Sequence, residues 1–155
     1  MIHLQKVRTD EAAKLHNLMQ FYIYEFSNYL PDIKLEDNGA YKPFDLEKYW
    51  NNNQFHAYFI KLGDELIGFA LIESATFSNP NTVEEYFIIT KYKGKGYGKV
   101  IAKKLFTLFP GEWEITQIEN NEPAHAFWKG LIHEVSDGNF REHFKDGVYV
   151  QKFNT

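Results

Sequence analysis

Apolar residues recur along the chain in two periods, and each change of period marks an element. Ile2–Arg8 alternates weakly and predicts a first strand. Thr9 suits a helix N-cap, and Asp10 and Glu11 suit the positive end of a helix dipole. Leu15, Leu18, Met19, Tyr22 and Phe26 then fall at helical spacing, which predicts a helix to about Ser27. Asn28–Phe44 holds Pro31, Gly39 and Pro43 and reads as loop, after which Asp45 caps a short helix through Trp50. Phe55–Lys61 and Glu65–Ser74 flank Leu62-Gly63-Asp64 and predict a hairpin. Residues 75–82 form a turn, and Val83–Ile89 a further strand.

The second half alternates element types. Val100, Ile101, Leu105 and Leu108 have helical spacing, ended by Pro110-Gly111. Trp113–Ile118 alternates as a strand; Ala124, Phe127, Trp128 and Leu131 mark another helix. Asn139–Lys145 and Val148–Phe153 flank Asp146-Gly147, a two-residue hairpin turn. Strand, helix, strand, helix after a block of hairpins predicts one α/β domain over residues 1–155, a mixed, largely antiparallel sheet with a parallel pair in its middle.

Composition narrows the function classes. A hydrophobic share of 44% with 14 Phe, 10 Tyr and 3 Trp excludes disorder. The absence of cysteine excludes disulfides, a thiolate nucleophile and Cys-based metal sites. No apolar run approaches the ~20 residues of a membrane span, and the polar start MIHLQKVRTDEAA is unlike a signal peptide, so a cytoplasmic protein without membrane partners is expected. The six histidines fall into no ligand spacing, and no metal is expected.

Charge changes the picture more. The net charge of −4 argues against a general nucleic-acid binder. Yet Lys91, Lys93, Lys95, Lys99, Lys103 and Lys104 lie within residues 91–110, which contain no acid, leaving −10 on the rest of the chain. A focused cationic patch suits one small anion.

That patch surrounds Lys93-Gly94-Lys95-Gly96-Tyr97-Gly98-Lys99, between a predicted strand and a predicted helix. Glycines there let consecutive N–H groups converge on phosphate oxygens, and the helix N-terminus adds its positive end. The spacing is neither a Walker A loop nor a G-x-G-x-x-G dinucleotide fingerprint.

The run Tyr86-Phe87-Ile88-Ile89-Thr90-Lys91-Tyr92-Lys93-Gly94-Lys95-Gly96-Tyr97-Gly98-Lys99 resembles the acyl-CoA signature of the GCN5-related N-acetyltransferase family, an Arg/Gln-x-x-Gly-x-Gly/Ala loop after a central strand. Lys93 stands at the Arg/Gln position and keeps the charge without the planar fork. Asn121-Glu122-Pro123-Ala124-His125-Ala126-Phe127-Trp128 is similar to the family's Asn-x-x-Ala-x-x-apolar-Tyr segment, with Trp128 at the Tyr position. The element order is similar too, so the resemblance spans about residues 2–153.

The resemblance implies acetyl transfer from acetyl-CoA to an amine of a small molecule or protein. It implies that residues 94–99 and Lys93 hold the pyrophosphate, that Asn121 contributes to the cofactor arm, and that an N–H near Phe87 or Ile88 polarises the thioester carbonyl. A base must deprotonate the amine, and Glu85 and Glu84 are the candidates. Strict alternation puts Val83, Glu85, Phe87 and Ile89 on one face and Glu84, Tyr86 and Ile88 on the other, and Glu85 is preferred. An indole cannot act as a general acid, so protonation of the leaving thiolate falls to Tyr97, another tyrosine or water, with Trp128 read as core and Asn121 as a helix cap. The parallel strand pair would lie at the acyl-CoA site. A catalytically decayed CoA-binding module is the alternative function. A monomer or homodimer is expected, with no nucleic-acid partner.

Overall fold

In the computed structural model, which describes residues 1–155, the chain forms β1 (Ile2–Lys6), α1 (Ala12–Phe26), α2 (Glu47–Asn51), β2 (Phe55–Leu62), β3 (Glu65–Glu73) and β4 (Thr82–Ile88). It continues through α3 (Tyr97–Leu108), β5 (Glu112–Ile118), α4 (Glu122–Ser136), β6 (Phe140–Lys145) and β7 (Val148–Asn154). No helix is long and apolar enough to cross a membrane.

Two antiparallel sheets result, ordered β1-β2-β3-β4 and β5-β7-β6. Ile67–Ile72 are all buried, so β3 is covered on both faces. On one face Leu15 and Met19 of α1 and Leu46, just before α2, pack against Phe59, Phe69, Leu71 and Phe87. On the other, α3 and α4 pack Ile101, Leu105, Leu131 and Ile132 against Ile60, Ile72, Trp113 and Ile115. Burying such a side chain contributes about 1.5–3 kcal/mol, which holds the helices to the sheets. Gly68 makes the β3–β4 contact possible, because a Cβ there would collide with the Phe87 carbonyl. At the β6–β7 turn, Asp146 (φ 53°) and Gly147 (φ 78°) both take positive φ, as a tight two-residue hairpin turn requires.

Three local expectations change. The start of the first helix is a short 3₁₀ turn, Thr9–Glu11, in which the Glu11 carboxylate accepts the Arg8 N–H at 3.1 Å, so Glu11 and not Thr9 does the capping. The parallel pair shrinks to one bridge, Asn81 with Trp113, where the two sheets touch. The Asn81 N–H donates to the Glu112 carbonyl and the Glu114 N–H to the Asn81 carbonyl, both at 2.9 Å. Beyond that bridge β4 and β5 diverge, and β5 pairs along its other edge with β7. Finally, β4 does not alternate strictly. Leu71 opposes Glu85 and Ile72 opposes Val83, which leaves Glu84 as the extra residue of a β-bulge.

Candidate active site

The divergence of β4 from β5 opens the molecule between the sheets. Asn81 pins the apex: its side-chain amide donates to the Phe109 and Glu112 carbonyls, both at 3.1 Å, and accepts the Ala75 N–H at 2.7 Å. Two adjoining cavities fill the opening. One, of about 280 Å³, lies between Val83–Tyr86 and Ile115–Ile118. The other, of about 800 Å³, runs along Tyr86–Ile88 to the glycine loop. Tyr22, Phe26, Tyr86, Asn121, Ala124 and Trp128 line both, so the two are parts of one cleft.

The glycine loop forms the outer end. Gly94 and Gly96 have φ of 78° and 83°, and Gly96 is the left-handed residue from which α3 starts. No hydrogen bond within the protein uses any N–H from Gly94 to Lys99. A Cβ at Gly94 or Gly96 would meet only open space, whereas one at Gly98 would touch the Phe127 ring at 3.4 Å. Consecutive unpaired donors at a helix N-terminus are chemically suited to phosphate oxygens, so these residues fit the pyrophosphate of acetyl-CoA.

The lysines are less free than their number suggests. Lys93 pairs with Glu25 at 3.0 Å, and Glu25 also accepts the Thr90 hydroxyl at 2.5 Å. Lys99 and Lys103 both bind Glu134, and the Lys103 and Lys99 ammonium groups hold that carboxyl down to about 2. Lys104 donates to the Ile2 carbonyl at 2.8 Å, and Lys91 lies over the Tyr92 ring. Lys93 and Lys99 line the larger cavity; Lys95 makes no ion pair and lies outside that lining.

Along the inner wall, the Ile89 N–H donates to the Ile67 carbonyl at 2.8 Å, so Ile89 faces β3. Alternation turns the Phe87 N–H the same way and directs the Tyr86 and Ile88 N–H groups to the unpaired edge of β4. Of the two amides proposed for the thioester carbonyl, Ile88 is therefore the one on the cleft side. The Tyr86 hydroxyl donates to the Gly98 carbonyl at 2.5 Å and ties β4 to the first turn of α3; burial pushes its phenol up.

The bulge corrects the reading of the two glutamates. With Glu84 extra, Val83 joins the face of Ile72 and Tyr86, while Glu84 and Glu85 both turn toward α1 and α2. Glu85 hydrogen-bonds the Tyr22 hydroxyl. Burial pushes the Glu85 carboxyl up to about 7; Glu84 adds to the rise, and Tyr22 and Lys48 oppose it. Burial and the neighbouring Glu73 also raise Glu84. Both glutamates line the smaller cavity.

Other predicted residues lie along the same cleft. Tyr97, 6.5 Å from the Tyr92 ring, lines the larger cavity but not the smaller. Asn121 accepts the Ala124 N–H at 3.3 Å, the cap expected of it, and borders both cavities. Trp128 is a core residue, edge-on to Tyr86 at 5.1 Å, and also forms part of the cleft wall. Sequence reasoning missed the role of Asn81, and it gave the Tyr22 hydroxyl no partner. A tyrosine among the apolar positions of α1 was the one available signal, since its hydroxyl needs a partner.

The family profile that matches the chain is that of the acetyltransferase (GNAT) family, over residues 18–131. The chain is a member of the GNAT acetyltransferase family. No curated protein sequence matches it. Among solved structures, an acetyltransferase from Thermus thermophilus is 17% identical with a TM-score of 0.72, over 100% of this chain and 97% of that one. The ribosomal-protein-S18-alanine N-acetyltransferase of Escherichia coli is 11% identical with a TM-score of 0.65, over 99% and 94%. The PaiA N-acetyltransferase of Thermoplasma acidophilum, solved with coenzyme A, is 12% identical with a TM-score of 0.66, over 100% and 99%. These three structures share the fold of this chain.

Proposed function

We propose that this GNAT protein is an acetyl-CoA-dependent N-acetyltransferase whose whole chain acts as one domain. The observation that carries the reading is the continuity of the cleft. The unpaired N–H groups of Gly94–Lys99 lie at one end and the Glu85 carboxyl at the other, joined by walls that Tyr86, Asn121 and Trp128 share. The GNAT relative solved with coenzyme A supports the choice of ligand.

When bound, acetyl-CoA supplies a thioester-activated acetyl group: the amine nitrogen forms the new C–N bond, the C–S bond breaks, and the thiolate leaves with the electron pair. The loop N–H groups and Lys93 hold the pyrophosphate, for which Lys93 must exchange Glu25 as partner. The Ile88 N–H donates to the acyl oxygen, and Glu85 takes the proton from the incoming ammonium. A carboxyl near 7 is suited to that task, being largely ionised just above neutrality yet basic enough to accept. The acceptor is a small-molecule amine or a protein amino group in the cytoplasm, and Glu84 and Glu85 favour its cationic form on approach. A thiol with pKa near 8.5 leaves without a dedicated acid, so Tyr97 or water suffices where Trp128 stands.

The test is incubation with acetyl-CoA and a panel of amines, following free thiol and the mass of each amine. Thiol release matched by N-acetylated product is the expected result. Tight CoA binding with no release across a broad panel would leave a CoA-binding module instead.

A further inference from the structure

Tyr22 is bound more specifically than core packing requires. It stands on α1, and its ring is boxed by Phe26, Phe44, Phe69 and Phe87 at centroid distances of 5.7, 6.4, 5.5 and 5.9 Å. Four aromatic neighbours leave the ring little freedom, so the hydroxyl is aimed and not merely accommodated. Its one partner is the Oε2 atom of Glu85. The Glu85 carboxylate makes no other hydrogen bond in the protein, so Oε1 is the atom left for an amine. Tyr22 also borders both cavities, at the place where they meet.

We propose that Tyr22 is a positioning residue that fixes which oxygen of Glu85 acts as base and sets the pH at which it does so. This rests on the reading of Glu85 as base. A phenol enclosed among apolar rings beside a carboxylate stays protonated, since burial and the Glu85 charge both push it up. It therefore donates to Glu85 throughout the working pH range and never competes with it for a proton. A donated hydrogen bond favours the charged carboxylate, so Tyr22 opposes the rise that burial imposes. Other groups face Glu85 from each neighbouring element. Glu84 on β4 raises it and Lys48 on α2 lowers it, while Tyr49 on α2 and Glu73 on β3 border the same cluster. Tyr22 is the one among them that hydrogen-bonds Glu85, and so the one that selects an atom.

The experiment is a carboxyl ¹³C NMR titration of the full chain labelled at glutamate, with the Glu85 signal assigned by its loss in Glu85→Gln. The wild-type midpoint is expected near 7. Tyr22→Phe should move it upward by on the order of one pH unit, so that below both midpoints the variant's acetyl-transfer rate is about tenfold lower. Site-specific 3-fluorotyrosine at position 22, nearly isosteric and a stronger donor, should move the midpoint below wild type and serves where the Phe variant folds poorly. A midpoint unchanged in both variants, with Glu85→Gln still slow, overturns the role of Tyr22 alone. A midpoint that moves as expected while Glu85→Gln transfers acetyl at the wild-type rate instead removes Glu85 as base, and the proposal falls with it.

Discussion

Glu85 faces Leu71 across the ladder, on the side of the sheet that Phe69 and Phe87 occupy, and that setting has a thermodynamic cost. Folded, the carboxyl takes its proton near 7; its ordinary value is 4.5. Between those values the native state binds more protons than the unfolded chain. The contribution of this group is therefore full below 4.5 and is lost as the pH rises through about 7. Glu85→Gln should raise the unfolding free energy relative to wild type by on the order of 3 kcal/mol near pH 8, a gain that closes near pH 4. Thermal unfolding of both proteins across that range checks it, and a difference independent of pH would contradict the burial. In the loop, Gly96→Asp strains a left-handed position, and Gly98→Asp crowds Phe127; each also sets a carboxylate against phosphate. Calorimetry should show CoA affinity reduced by about tenfold or more in either variant, and unchanged affinity in a folded variant would refute the cradle.

At the scale of elements, the chain bridges β5 only at Asn81, the residue before β4, and β4 bulges a few residues later, beside the cleft. Asn81→Ala would leave the Ala75 N–H without a partner and the Phe109 carbonyl with the Trp113 indole N–H alone. A loss of about 2–4 kcal/mol is expected in denaturant unfolding, and a loss within error would show that the pin is dispensable. Helix α1 carries Tyr22 to Glu85 and Glu25 to Lys93 beside the glycine loop, so one element touches both ends of the cleft. Glu25→Gln would release Lys93 while keeping an acceptor for Thr90. CoA binding should then tighten roughly two- to fivefold, in line with an exposed ion pair. Weaker binding would mean that Glu25 aligns Lys93 for phosphate instead of competing for it.

For the whole molecule, the order of elements and the glycine turn that opens α3 were legible because they rest on local signals: hydrophobic period, turn residues, and glycines between a strand and a helix. The face shared by Glu84 and Glu85 was not, because a bulge adds a residue without altering the composition that a period-2 reading sees. The meeting of Tyr22 with Glu85, 63 positions apart, and the pin at Asn81 are likewise properties of tertiary packing. Charge also changed meaning between levels. Three of the six clustered lysines are ion-paired, so the proposed anion site would draw on backbone N–H groups as much as on ammonium charge. The central claim is that this cradle and Glu85 serve one reaction. Its most direct test is the pH dependence of thiol release from acetyl-CoA with a responsive amine, in wild type and Glu85→Gln. The wild-type rate should rise through about pH 7 and then level, and Glu85→Gln should lose that limb while binding CoA as before. An identical profile in the two proteins would contradict it.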